Sequence, residues 1–449
     1  MNKQSILLLV ILFSISYCYG QSNLYKGVDY DYGKLDSTIS KQWKNNISTD
    51  KNLPYPYVTG FLHQAHMYYW DTYFINKGLL ATGHLKEAKQ NTLNLLSVVD
   101  RFGFMGNAAV TSWGMNRSQP PYLSVMVRDI FEVEKDTQFL RYAYPLLKKE
   151  YKFWTDKSAN AIESHDTSIP GLERFGHHAT STELIDLYNH IFERLGLDST
   201  LSDAQKIIIA SPYAAEAETG MDFTLRFEGH CPDFVAVDLN SLLYRMEINL
   251  AWITAQLHIT DSFDWSVHAK KRKDLINKYC WDEQSGMYYD FNFITGKRSK
   301  VAAATAFQPL WAGIATPDQA RRVADKIWYF QSPFGLTTTA ADSKDEKRQW
   351  GCLSVWAPMQ LIAVDGLRKY GLYKEASEVA NGFMLVVAKN YYSPAYSMNA
   401  KFPMRKTGDI YEKYKSDGSI NDDEYTSNVM MGWTGAVYNY FYRLAINKK

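Results

Sequence analysis

The chain has 449 residues, a formal net charge of +1 and 46% hydrophobic residues, an ordinary balance for a soluble globular protein. A charge so near zero leaves no electrostatic case for nucleic acid, an anionic membrane or a polyanionic substrate. Aromatic residues make up 15%, with 32 Tyr and 12 Trp. They suit either a large core or a sugar-binding cleft, because rings stack on sugar C–H faces while Tyr and Trp keep a polar handle.

The first twenty residues, MNKQSILLLVILFSISYCYG, read as a secretory signal. Lys3 supplies the charged start, Ile6 to Ile15 the apolar run, and Cys18 and Gly20 the small residues before a cut ahead of Gln21. The run is too short to span a bilayer comfortably, and nothing later resembles a membrane helix. The expectation is an exported protein, periplasmic or secreted, with no membrane partner after cleavage. Cys231, Cys280 and Cys352 then remain without CxxC spacing, which predicts buried free thiols rather than a zinc knuckle or disulfide framework.

Helical periodicity dominates the rest of the chain. Apolar residues recur at three- and four-residue spacing over Gln138–Trp154, Thr182–Leu195, Leu239–Leu257, Trp265–Tyr279, Pro317–Tyr329, Val355–Tyr370 and Lys374–Ala388. Thr180 and Glu183 form a capping-box pattern, and Gly196 and Gly371 suit helix C-caps. Strand-like alternation is short, mainly the hairpin expected at Gly286–Lys297. No Pro/Gly/Ser-rich linker divides the chain, so paired helices over about 400 residues fit one toroid, whose loops gather at one end of the ring.

Five stretches in those loops combine an acid or amide with Trp or Tyr: MYYWDTYFINKGLL (67–80), MNRSQPPYLSVMV (115–127), ETGMDFTLRF (218–227), RQWGCLSVWAPMQ (348–360) and DIYEKYKSDGSINDDEYTSNVMMGWTGAVYNY (409–440). Apolar neighbours Met221 and Phe223 would disfavour ionisation of Asp222, whereas Glu424 sits in a polar, acidic run. Differently tuned carboxylates are the pattern of an acid/base pair. The bland alternatives are an ion pair between Asp222 and Arg226 at a helix start, a solvated acidic loop at Glu424, and core packing for Trp350 and Trp433.

In this order the stretches resemble the trehalase family of glycoside hydrolases. Tyr68, Trp70, Asp71 and Tyr73 match its Tyr-x-Trp-Asp-x-Tyr signature, and Arg117 to Pro121 its Arg-Ser-Gln-Pro-Pro run. ETGMDFT matches its Glu-Ser-Gly-Trp-Asp motif. Gln349, Trp350, Trp356, Ala357, Pro358 and Gln360 match its Gln-Trp signature, and Glu424, Tyr425, Gly432, Trp433 and Thr434 its closing motif. The resemblance implies an all-α (α/α)6 toroid with short β-hairpins, a catalytic domain at 54–449 after an extension at 21–53, and an inverting mechanism. It places the general acid on Asp222 and the general base on Glu424. By the same carry-over Trp70, Asp71, Asn107, Arg117 and Gln119 hold the sugar, with Trp350 and Trp433 as stacking walls. The implied partner is a small carbohydrate, with no cofactor, and the chain is expected to be a monomer.

Departures from the family's pattern bear on the substrate. His63 and His66 stand where trehalases carry Arg and Glu, Gly351 replaces an acid, Met221 replaces Trp, and no Arg-Pro-Glu segment follows Gly171–Gly176. Met221, His63 and His66 are therefore where substrate choice is expected to differ, with mannosylglycerate hydrolases of the same toroid as the nearest alternative. His63, His66 and Asp71 are too loosely spaced for a metal site and lack a further ligand, so no metal is expected. A catalytically weak sugar-binding protein on this scaffold is the rival of a different class.

Overall fold

A computed structural model describes residues 29–61, 65–345, 348–393, 407–422, 427, 429 and 432–446. In chain order its helices are α1 (Tyr32–Gln42), α2 (Tyr69–Ala81), α3 (Leu85–Phe102), α4 (Leu123–Glu134), α5 (Thr137–Thr155), α6 (Ser181–Leu195), α7 (Asp203–Glu218), α8 (Val237–Leu257), α9 (Trp265–Tyr279), α10 (Gln308–Ala312), α11 (Pro317–Ala324), α12 (Ala357–Lys369), α13 (Tyr373–Tyr392) and α14 (Trp433–Ile446). Strands among the described residues are two or three residues long.

Contacts between helices sort them into two shells. Helices α2, α4, α8, α10, α12 and α14 each pack on the next, and α14 returns to α2, closing an inner ring of six. Helices α1, α3, α5, α9 and α13 lie against inner partners, and α11 packs on the strand Met287–Tyr288. Burial follows the shells: inner α2 buries nearly its whole circumference, whereas outer α9 buries a single stripe of Trp265, Ala269, Arg272 and Ile276. A helix that is apolar all round belongs inside, and one with a stripe belongs at the surface of the core. This is the expected (α/α)6 toroid. The hairpin α6–α7 is additional, held by a small core of its own around Leu184, Tyr188, Ala210 and Ala214.

Local signals agree with the sequence. Thr180 and Glu183 form the capping box, Gly196 closes α6 in the left-handed conformation, and all three cysteines are buried, none in a disulfide among the described residues. In place of the one hairpin expected at Gly286–Lys297 there are two antiparallel pairs, Met287–Tyr288 with Trp281–Asp282 and Phe291–Asn292 with Lys297–Arg298.

Ring closure depends on one close approach. A Cβ built on Gly78 of α2 would lie 2.4 Å from the Ala436 Cα of α14. Helix α1 fastens the seam from outside. Asn439 Nδ2 donates to Asp36 Oδ1 at 2.7 Å, and Arg443 Nη2 to Asp36 Oδ2 at 2.6 Å. Gly78→Ala is expected to push α2 and α14 apart and destabilise the chain by about 1–3 kcal/mol, as overpacking against backbone does. Chemical denaturation followed by circular dichroism checks this, and an unchanged midpoint would show that the helices part freely.

Candidate active site

A cavity of about 750 Å³ opens where the inner helices begin. Trp70 and Asp71 come from the first turn of α2, Arg117 and Gln119 from the segment before α4, Asp222 from the loop before α8, Trp350 from the loop before α12, and Trp433 from the start of α14. Residues more than 350 positions apart meet because six N-termini point to one end of the ring.

The floor is aromatic. Trp350 stacks on Trp356 with centroids 4.0 Å apart and planes at 9°, and Trp433 meets both edge-on at 6.2 and 5.6 Å. Trp70 adjoins Trp350 at 5.6 Å and Trp433 at 5.8 Å. The strand Ser354–Trp356 pairs antiparallel with Lys413–Lys415, Trp356 opposite Lys413. That pairing brings Glu412 to the wall, where its carbonyl accepts from Trp433 Nε1 at 3.2 Å.

Polar side chains are held from behind. Trp70 N–H donates to Gln119 Oε1 at 3.2 Å, and Asn107 N–H to the Arg117 carbonyl at 2.9 Å. Arg117 Nη1 donates to Asn116 Oδ1 at 2.9 Å, while its buried Nε has no hydrogen-bond partner among the described residues. Burial, then the neighbouring Glu412 carboxylate, push the Asp71 carboxyl up to about 8.

The loop carrying Asp222 is tightly specified. Helix α7 stops at Glu218, and Gly220 has φ +70°, a left-handed conformation that glycine adopts without strain. A Cβ there would also lie 2.6 Å from Trp70 Cε2. Met221 N–H donates to Thr219 Oγ1 at 2.9 Å and Thr224 N–H to Glu216 Oε1 at 3.1 Å. Asp222 is half-buried and lines the cavity. Burial pushes its carboxyl above the ordinary range, and the Arg117 guanidinium opposes that rise.

The alternative partner for Asp222 is occupied elsewhere. Arg226 is fully buried and forked between Asp238, at 2.9 and 2.9 Å, and Asp290, at 3.1 and 3.0 Å. Met221 is buried with its sulfur 3.5 Å from Arg226 Nη1 and is absent from the cavity wall. Phe223, not Met221, is the neighbour of Asp222 that faces the cavity.

Eight sequence candidates thus meet at one wall: Asp222, Trp70, Asp71, Asn107, Arg117, Gln119, Trp350 and Trp433. The two tryptophans set against core packing do both, being buried and lining the cavity. His66 lies just behind the wall, edge-on to Tyr68 and Trp113. His63 and Glu424 lie outside the described residues. The sequence reading left Glu412 unassigned and missed a stripe on α6, Glu183, Asp186, His190 and Arg194, which lines the opposite side. Its spacing of three and four residues was a readable signal. Among the described residues, the side chains grouped to suit a metal are Glu163, His165 and Glu218, buried behind the acid loop.

Gly220→Ala is expected to lower turnover at least about tenfold, because the strained backbone and the displaced Trp70 ring both move Asp222. Steady-state kinetics beside a melting curve separates that effect from unfolding.

The family model for trehalase matches residues 32–445. The periplasmic trehalase of Xanthomonas campestris pv. campestris (strain B100) is 30% identical over 409 residues, 86% of this chain and 67% of the relative. The cytosolic neutral trehalase of Neurospora crassa is 28% identical over 436 residues, 83% of this chain and 56% of the relative. The chain therefore spans between about half and two thirds of these relatives' length. Neutral trehalase Nth1 from Saccharomyces cerevisiae superposes with a TM-score of 0.70 at 24% identity, over 90% of this chain and 79% of that one. The GH63 mannosylglycerate hydrolase from Thermus thermophilus superposes with a TM-score of 0.61 at 15% identity, over 91% and 99%. At those identities the two structures speak for the shared toroid. On the match across the ring and the likeness to the periplasmic relative, the chain belongs to the trehalase family of glycoside hydrolases.

Proposed function

We propose that the chain is an exported, inverting α-glycosidase with Asp222 as general acid, Glu424 as general base and trehalose as its first substrate. The observation that carries this reading is the setting of Asp222. It is a carboxyl whose pKa burial raises and the Arg117 guanidinium opposes, at the edge of a tryptophan-floored cavity. Protonated Asp222 gives its proton to the glycosidic oxygen as the C1–O bond breaks. Glu424 takes a proton from the water that adds to C1 from the opposite face. Such a pair stands about 6.5–9.5 Å apart to leave room for that water. Trp70, Asp71 and Arg117 hold the sugar whose C1 reacts, and the tryptophan floor offers faces for its C–H groups.

Export rests on the apolar leader and on the periplasmic relative. No helix of the described residues is long and apolar enough to cross a membrane.

A panel of α-linked disaccharides and glycosylglycerates, followed by proton NMR, tests the reaction. From trehalose, equal amounts of α- and β-glucose are expected at first, the β-anomer from the ring that water attacks and the α-anomer from the leaving ring, whereas retention would give the α-anomer alone. Asp222→Asn and Glu424→Gln are each expected to lower kcat by about 10²–10⁴ with little change in KM, the usual worth of a general acid or base. Undiminished activity in either variant sinks the assignment, and no turnover of any panel member favours a sugar-binding protein.

The pH profile gives a second check with a fixed sign. Activity requires protonated Asp222, so it falls as pH rises through that group's pKa. Arg117 lowers this pKa, as Arg194 does more weakly. Arg117→Ala is therefore expected to move the basic limb to higher pH while lowering kcat/KM. A basic limb that stays or moves down would contradict Asp222 as the acid.

A further inference from the structure

Behind the acid loop lies a group of charged side chains that the proposed reaction does not use. His165 is buried with Nε2 3.2 Å from Glu163 Oε1 and 3.2 Å from Glu218 Oε2. Three buried ionisable groups in contact are costly unless each is paired. The pairing runs outward to the two segments that carry Asp222 and Arg117.

Glu218 is the last residue of α7, four positions before Asp222. Its Oε1 accepts the Ser118 N–H at 2.9 Å, next to Arg117, and its Oε2 accepts the Gly176 N–H at 2.9 Å. On the other side of His165, Glu163 Oε2 pairs with His178 Nδ1 at 2.8 Å. His178 in turn donates from Nε2 to the Met115 carbonyl at 2.5 Å and from its backbone N–H to the Asn116 carbonyl at 3.0 Å. The segment 115–118 is thus gripped at three backbone atoms, and both grips end on His165.

We propose that Glu163, His165 and Glu218 act as an internal strut that fixes the Arg117 guanidinium relative to the Asp222 carboxyl, making His165 a positioning residue for the general acid. This rests on the proposed hydrolase reading. Burial lowers the His178 pKa, but its bonds to Glu163 and to the Met115 carbonyl favour the protonated ring and raise it on balance. Burial alone would lower the His165 pKa, but the two carboxylates raise it to about 10. His165 therefore keeps its positive charge at neutral pH.

A metal ion is the rival occupant, since the three ligand atoms lie within 4.8 Å of one another. The surroundings suit an imidazolium better. The ring is packed against Trp154 at 4.5 Å and Phe153 at 4.9 Å, which suits a cation.

The test is a double-mutant cycle between His165→Asn and Arg117→Ala in the full mature chain, assayed on whichever panel substrate the wild type cleaves. Glu163→Gln, which keeps the side-chain volume, serves if His165→Asn does not fold. His165→Asn alone is expected to lower kcat about tenfold or more with KM within about threefold. In the Arg117→Ala background it is expected to cost no further activity, because the strut works through Arg117. Losses that multiply would make the cluster a general stabiliser and overturn the proposal. One equivalent of transition metal in the purified wild type, lost in His165→Asn, would overturn it in favour of a metal centre. A wild type inactive on every panel member overturns the hydrolase reading and this one with it; an active wild type with multiplying losses overturns the strut alone.

Discussion

The site exists only because the ring closes, and the ring closes where Gly78 lets α2 lie against the Ala436 backbone of α14. Those two helices begin at opposite ends of the described toroid sequence, yet Trp70 from one and Trp433 from the other stand 5.8 Å apart in the cavity floor. Any separation of the seam is transmitted to that floor, since both tryptophans sit in the first turns of their helices. Helix α1 braces the same seam through Asp36, which takes both Asn439 and Arg443. The far ends of the matched segment are thus part of one mechanical unit with the cavity.

A second constraint concerns charge. The loop from Glu218 to Phe227 holds several ionisable side chains in a nearly dry place, and the fold keeps them from pairing with the wrong partner. Arg226, four residues after Asp222 and the obvious local counter-ion, is forked between Asp238 at the start of α8 and Asp290 beside the strand Phe291–Asn292. With its fork filled, it anchors the loop without ionising Asp222. Arg117 from another segment is the cation left to temper that carboxyl. Desolvation raises the pKa of that carboxyl while the guanidinium opposes the rise, the balance that the proposed general acid would use.

Much of this was legible in the sequence, for local reasons. Helix α9 runs over Trp265–Tyr279 as its periodicity predicts, because its stripe and its Asp264 cap are local facts. The helix expected from Val355 begins at Ala357 because Ser354–Trp356 is drawn into pairing with Lys413–Lys415, a partner no window could include. The Pro317–Tyr329 helix breaks at Ala324, and a 3-10 turn takes Ile327–Tyr329. Eight site residues were readable because their motifs kept chain order. Direction was not readable: Met221 and Phe223 flank Asp222 equally in sequence, yet positive φ at Phe223 turns the backbone so that only Phe223 faces the cavity. Glu412 was readable as part of the family-like EKY run at 412–414, but its place in the cavity wall was not, because that depends on the same strand pairing.

That direction bears on the substrate. Met221 suggested a lean toward glycosylglycerates, but its sulfur packs on Arg226, so it cannot select a leaving group by contact. Selection falls to the side chains that do line the cavity. Among the described residues these include Asp71, Glu183, Asp186, Asp222 and Glu412 against Arg117 and Arg194 as fixed cations. Arg117 is engaged with Asn116 and stands beside Asp222, and Arg194 donates to Gln349 at 3.1 Å while lying over the Phe223 ring at 4.0 Å. Among the described lining residues, acids and amides such as Asp71, Asn107, Glu183 and Glu412 can bond the hydroxyls of a polyhydroxylated ligand, while both arginines already have protein partners.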